Sequence, residues 1–224
     1  MRLALACLVV WPLFGSDFKP LFDGRTTDGW IEITGKSFPT MCWKVEDGCL
    51  KAFPNPNGMQ DIRTVETFRN FDLEWEWKIL VGGNSGVKYL VQKVDEWTAK
   101  GRGRQARARG FEYQLADDIN EEAVNDPSRA CGSLYSVLAP TPRVRPTISS
   151  FNRSRLVVNG SHVEHWLNGV KVVEYETTGP KALALLENVR KGGKPAFPQG
   201  GPISLQNHAS EAWFRNIRIR RLAD

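Results

Sequence analysis

Glu112 and Gln114 stand two apart in Phe111-Glu112-Tyr113-Gln114-Leu115, and Gln206 and His208 stand two apart in Leu205-Gln206-Asn207-His208. On a β-strand, side chains two apart share a face. Each pair therefore projects away from the residues that alternate with it. A carboxylate, two amides and an imidazole are expected to line one polar sheet face. Such a surface suits a sugar, because planar amides and carboxylates bracket neighbouring hydroxyls and aromatic rings cover the apolar faces of the ring. Tyr89, Tyr135 and Trp97 are the candidate aromatic residues. Taken singly, each of these residues also fits an ordinary solvated strand.

Other chemistries find less support. His162-Val163-Glu164-His165 resembles a zinc spacing, but on a strand residues three apart face opposite ways, so the two imidazoles cannot easily share a metal. The chain has no phosphate-binding glycine loop, no Gly-x-Ser-x-Gly and no dinucleotide fingerprint. Cys131 has no base beside it in sequence and is not proposed as a nucleophile. No Cys-x-x-Cys occurs. Asp47-Gly48 reads as a turn that sets Cys49 opposite Glu46 and Cys42 opposite Phe53, so a Cys42–Cys49 bridge does not follow. Buried free thiols are expected instead.

The elements that must carry the polar face read as strands. Phe71-Asp72-Leu73-Glu74-Trp75-Glu76-Trp77-Lys78-Ile79 alternates apolar and charged residues without a break, the period of a half-buried strand. Val87 to Val91 follows the turn-rich Gly82-Gly83-Asn84-Ser85-Gly86. Asn159-Gly160 and Asn168-Gly169 are hairpin signals separating Leu156–Val158, Val163–Leu167 and Val170–Tyr175. Ile203–Gln206 and Trp213–Ile219 close the chain, and Ala182–Val189 is the best helix candidate. Many short strands with Gly and Asn turns predict an all-β sandwich or barrel.

Composition agrees. The 224 residues include eight Trp and eleven Phe, enough bulk for two packed sheets. A net charge of +5 does not argue for nucleic acid without a clustered patch. Residues 100 to 109 carry five positive charges among glycines, which reads as a solvated loop between strands. Residues 1–16 read as a signal peptide: Arg2, an apolar run from Leu3 to Phe14, then Gly15 and Ser16. An uncleaved anchor is the alternative, although the run is too short to span a bilayer. The expectation is one exported domain over 17–224, periplasmic or extracellular, with no membrane insertion once the signal is removed and no nucleic-acid partner.

The motifs, in order, resemble those of the 3-keto-disaccharide hydrolase domain family. They are Leu21-Phe22-Asp23-Gly24 with Gly29-Trp30, Trp43-Lys44-Val45-Glu46-Asp47-Gly48, Phe71 to Trp75, Gly83-Asn84-Ser85-Gly86, Gly110 to Gln114 with Asp117-Asp118, Gly132 to Tyr135, His162 to Gly169, Leu205 to His208, and Phe214 to Ile217. The resemblance covers roughly residues 20 to 222. It implies a concanavalin-like jelly roll of two antiparallel sheets and a bacterial enzyme that cleaves or hydrates 3-keto-glycosides. A keto group at C3 acidifies the C2 proton; a base removes it, the C1 substituent leaves, and water can add back. The resemblance points to Glu112 or His208 as base or acid, to Gln114, Gln206 and Asn84 as holders of hydroxyls or enolate, and to Asp117 as an orienting residue or one ligand of a possible divalent metal ion. Two other classes stay open, a non-catalytic carbohydrate-binding module and an interaction domain using Arg102 to Arg109. An enzyme needs Glu112 and His208 in one pocket, whereas an interaction domain depends on the arginines and on ionic strength.

Overall fold

The computed structural model describes residues 17–56, 58–99, 103–119, 121–184 and 200–223. The proposed export signal and residues 185–189 of the expected helix lie outside the described residues; 180–184 are helical. Two antiparallel sheets face each other, as the alternation predicts. The larger runs β11 (Val170–Glu176), β10 (His162–Leu167), β9 (Asn152–Asn159), β6 (Phe71–Ile79), β13 (Ala212–Arg221), β4 (Cys49–Ala52) and β3 (Trp43–Glu46), with β1 (Lys19–Pro20) on the remaining length of β13. The smaller runs β2 (Trp30–Glu32), β5 (Ile62–Thr64), β12 (Ser204–Leu205), β7 (Asn84–Ala99) and β8 (Gly103–Ala116).

Strand β6 shows why the sheets pack. Phe71, Leu73, Trp75, Trp77 and Ile79 are all buried, while Glu74, Glu76 and Lys78 are partly exposed on the other face. Phe111, Tyr113 and Leu115 of β8 and Val87 and Tyr89 of β7 meet them from the smaller sheet. Trp75 and Tyr113 touch edge to face at 5.1 Å. Cys42, Cys49 and Cys131 are buried free thiols, and Glu46 pairs with Cys49 as the Asp47-Gly48 turn requires.

A polar network crosses this apolar layer. Tyr113 Oη donates to the Trp166 carbonyl at 3.0 Å and accepts from Ser154 Oγ at 2.9 Å, which in turn accepts from Trp77 Nε1. His165 Nδ1 lies 3.0 Å from the Gly132 carbonyl, so that nitrogen carries the proton. Nε2 is then an acceptor and takes the Tyr89 hydroxyl at 2.7 Å, leaving Tyr175 to donate to Tyr89 at 2.8 Å. His162, three residues away, sits partly exposed on the outside. The two imidazoles do face opposite ways.

The arginine-rich stretch is not a loop. Residues 103–109 form the first half of β8, paired with 93–99 of β7 in a long hairpin. The hairpin bends where Leu90, Val91 and Gln92 face the single residue Gly110, a bulge with Leu90 at φ +49°. A Cβ on Gly110 would lie 2.6 Å from the Tyr89 carbonyl oxygen, so only glycine permits this bend.

Burial pushes His165 down to about 4, so the ring is neutral in the folded state. The unfolded chain binds an extra proton between pH 6.5 and about 4. The contribution of the neutral ring is therefore complete above pH 6.5 and is lost as pH falls toward 4, at about 1.4 kcal/mol per pH unit and about 3 kcal/mol in all. In urea unfolding, the stability advantage of the wild type over His165→Gln is expected to shrink by that amount between pH 7 and pH 4.

Candidate functional site

Pairing register places the polar face. Val87 lies opposite Tyr113 and Leu205, and these point inward. Their neighbours in sequence must point outward. Across the sheet, one outward row therefore reads Glu112, Lys88, Ser204, Arg63, and the next reads Gln114, Gly86, Gln206, Asp61. Leu134 bridges to Tyr113 and extends both rows by one position, adding Tyr135 beside Glu112 and Ser133 beside Gln114.

Of the residues expected from sequence, Glu112, Gln114, Gln206, Asn84 and Tyr135 fall on this face. Gln114 Nε2 donates to Asn84 Oδ1 at 3.3 Å. Tyr135 is partly exposed, its backbone N–H donates to the Glu112 carbonyl, and the Arg129 guanidinium lies over its ring at 5.6 Å. His208 follows Asn207, which is fully buried and donates to the Cys42 and Phe53 carbonyls; His208 itself is partly exposed.

Two expectations are corrected. Tyr89 is 0% exposed and points between the sheets into the His165 network, so a ligand on the outer face does not reach it. Asp117 is a turn staple. Its Oδ2 accepts from Gly82 N at 2.9 Å and its Oδ1 from Ile119 N at 3.3 Å, so both oxygens hold backbone and neither faces Glu112. Trp97 lies on β7, with its side chain outside the described residues.

Residues that the sequence reading passed over complete the site. Beyond its bulge the hairpin arches back across the sheet, since Ala108 on β8 packs against Ile33 and Val91 although β8 and β2 are opposite edges. This brings Arg107 Nη1 to 3.4 Å from Asp61 Oδ1 and the Ala108 carbonyl to 3.4 Å from Lys88 Nζ. Lys88 Nζ also lies 3.6 Å from Glu112 Oε2. The result is a cluster of two carboxylates and two cations, with Asp61 and Lys88 buried and Glu112 and Arg107 partly covered. A Cβ on Gly86 would lie 2.5 Å from Glu112 Oε1, so the carboxyl group rests on the space that this glycine leaves. Burial raises the Glu112 pKa; the Lys88 ammonium opposes the shift, Asp61 adds to it and Arg107 opposes it. Four buried atoms on this face have no hydrogen-bond partner: Ser133 Oγ, Gln114 Oε1, Asp61 Oδ2 and Ser204 Oγ. Such orphans cost about 1–3 kcal/mol each.

Among the described residues, His162, Glu164 and Glu174 form a group that could hold a metal, but it lies on the larger sheet. There Lys171 Nζ already bridges the two carboxylates at 3.2 and 2.7 Å.

An antiparallel sandwich with this layout is a galectin-like fold. A Bacillus subtilis protein with a galectin-like fold superposes with a TM-score of 0.50 at 11% identity over 86% of this chain and 88% of its own, which speaks for the fold alone. The family is closer. A profile of the 3-keto-alpha-glucoside-1,2-lyase-like domain matches residues 17–220, and the chain belongs to that family. It is 30% identical, over 239 aligned positions, to a 3-keto-disaccharide hydrolase of Bacteroides thetaiotaomicron, covering 94% of this chain and 80% of the relative. A Parabacteroides distasonis protein described as a glycosyl hydrolase superposes with a TM-score of 0.72 at 27% identity, covering 92% of this chain and 94% of its own.

Removing the cation nearest Glu112 tests the electrostatics. Lys88→Met is expected to move the Glu112 pKa further upward, read by carbon-13 NMR titration of the side-chain carboxyl. A downward movement, or none, would show that the ammonium does not act on it.

Proposed function

We propose that this protein cleaves 3-keto-glycosides, expelling the C1 substituent by elimination and adding water to the resulting enone, so that the net reaction is hydrolysis. The observation that carries this reading is the largely covered Glu112 carboxyl beside Lys88, on the polar sheet face that also carries Gln114, Gln206 and Asn84. Membership of the 3-keto-alpha-glucoside-1,2-lyase-like family and the 3-keto-disaccharide hydrolase among its relatives support it. Elimination needs an acid for the leaving oxygen and a positive group for the enolate oxygen. Glu112, with its raised pKa, is suited to keep and deliver a proton. The Lys88 ammonium beside it is suited to stabilise the enolate. Gln114, Gln206 and Asn84 hold hydroxyls, Tyr135 flanks one sugar ring, and His208 contacts the substrate from the segment that follows β12.

Aglycone release from α- and β-linked 3-keto-glucosides tests this. Glu112→Gln is expected to lower kcat by about 100-fold or more. Wild-type kcat is expected to fall on the alkaline side of a pKa above the usual carboxylate range, because the acid must be protonated. Binding of a keto-sugar without release of aglycone would replace the enzyme by a carbohydrate-binding module. Gly86→Ala forces Glu112 Oε1 from its place; kcat is expected to fall by about 100-fold while the melting temperature changes little.

A further inference from the structure

An acid that protonates the leaving oxygen stands between the two parts of the substrate that separate, the keto-sugar and the C1 substituent. Strand order tells its two sides apart. β7 and β12 lie on one side of β8, and the segment around Leu134 lies on the other. The β7 side carries the Asn84 and Gln206 amides and the Lys88 ammonium, groups that hold hydroxyls and an enolate. The bent hairpin covers that same side, with the Ala108 carbonyl on Lys88 and Arg107 on Asp61. The opposite side carries Tyr135, partly exposed, whose N–H donates to the Glu112 carbonyl at 3.0 Å. Among the described residues of the two outward rows, Tyr135 is the one aromatic ring. It is held from behind the site. Ser136 N donates to the Ser128 carbonyl at 2.9 Å, which ties the turn to the one-turn helix Pro127–Arg129. The Arg129 guanidinium lies over the Tyr135 ring at 5.6 Å, and its Nε faces Asp126 Oδ2 at 3.4 Å. Asp126 is fixed in turn, its Oδ1 accepting from Ser128 N at 3.0 Å. A phenol ring steadied by a stacked cation is a platform whose ordering is complete before a ligand arrives.

We infer that Tyr135, steadied by Arg129, is the leaving-group subsite, and that it selects 3-keto-glucosides whose C1 substituent is itself a ring; this rests on the reaction proposed above. The keto-sugar lies toward β7 and β12, with its C3 oxygen at Lys88 and its C1 oxygen at Glu112. The departing ring lies over Tyr135, where its apolar face replaces water on the phenol. Tyr135 determines specificity, and Arg129 acts through it as a positioning residue.

Methyl and cyclohexyl 3-keto-glucosides of the same anomer test this, since both release simple alcohols and differ in the ring. Wild-type kcat/KM is expected to favour the cyclohexyl substrate by about tenfold. Tyr135→Ala is expected to bring the ratio close to one, and Tyr135→Phe to keep it within about twofold of wild type. Arg129→Ala is expected to lower the ratio by about threefold, and Arg129→Lys, which keeps a cation over the ring, to restore most of it. A wild-type ratio near one would overturn the subsite while leaving the reaction in place. So would an unchanged ratio in a folded Tyr135→Ala, with both substrates slowed alike, because Tyr135 would then lie against the keto-sugar. The first outcome is available even where Tyr135→Ala does not fold. A wild type that releases neither alcohol would overturn the reaction itself, and the subsite with it.

Discussion

The hydrogen bond between Tyr89 and His165 joins the two sheets, and the site on the far side of β7 and β8 depends on it. Because Nδ1 of the imidazole is committed to the Gly132 carbonyl, Nε2 can only accept, and the donors from Tyr175 through Tyr89 run in one direction. Gly132 N donates to the Gln114 carbonyl, and Gln114 N donates to the Ser133 carbonyl. The larger sheet is thereby tied to the strand that carries Gln114 and Glu112. Alternation does the rest. With Tyr89 and Tyr113 held inward, Lys88, Glu112 and Gln114 have no choice but the outer face, and a slip of one residue would exchange the two sets.

Outward placement alone would leave those side chains in water. The bulge opposite Gly110 changes that by folding the far half of the hairpin over the sheet, so that Arg107 and the Ala108 carbonyl roof the charges beneath. With Glu112 ionised, the cluster of Glu112, Lys88, Asp61 and Arg107 sums to zero; with Glu112 protonated, as the acid of the reaction, it carries one positive charge. Burying four separate charges would be prohibitive, whereas two matched pairs recover part of the desolvation cost by their attraction. The remainder is kept as a polarised, largely covered surface on which a developing charge is stabilised more strongly than in water.

Much of this was legible in the sequence, and the failures have physical reasons. Phe71–Ile79 was readable to the residue because its alternation is unbroken. Glu112 and Gln114 were found because they interrupt an apolar alternation. The same logic applied to Val87-Lys88-Tyr89 puts Tyr89 in the core and Lys88 outside; reading Tyr89 as a sugar platform took its aromaticity over its parity. Asp61 left no trace, since β5 spans only three residues and gives no period to read. Residues 103–109 look like a loop because their polar and glycine content hides the pairing that only the partner strand supplies. The arch that joins Arg107 to Asp61, 46 positions apart, is a tertiary contact that no local pattern encodes.

The larger sheet shows why charge by itself does not mark a site. Its outer face is also crowded with ions, yet its carboxylates are taken. Asp72, 1% exposed, receives Arg155 at both oxygens and Arg220 as well, Glu74 receives Arg218, and Glu76 receives Arg215. Pairs of this kind fix the strands to one another and leave Asp72 no free oxygen, although Arg220 Nε on that face is buried without a partner. On the smaller sheet the pairing stops one atom short, at Asp61 Oδ2, with Gln114 Oε1, Ser133 Oγ and Ser204 Oγ in the same state. Folding tolerates an unsatisfied buried acceptor only when the rest of the structure holds it in place. The crossed network of Tyr89, His165 and Gly132 on one side and the bent hairpin on the other provide that hold. What separates a structural charged face from a reactive one here is the number of buried polar atoms still waiting for a donor.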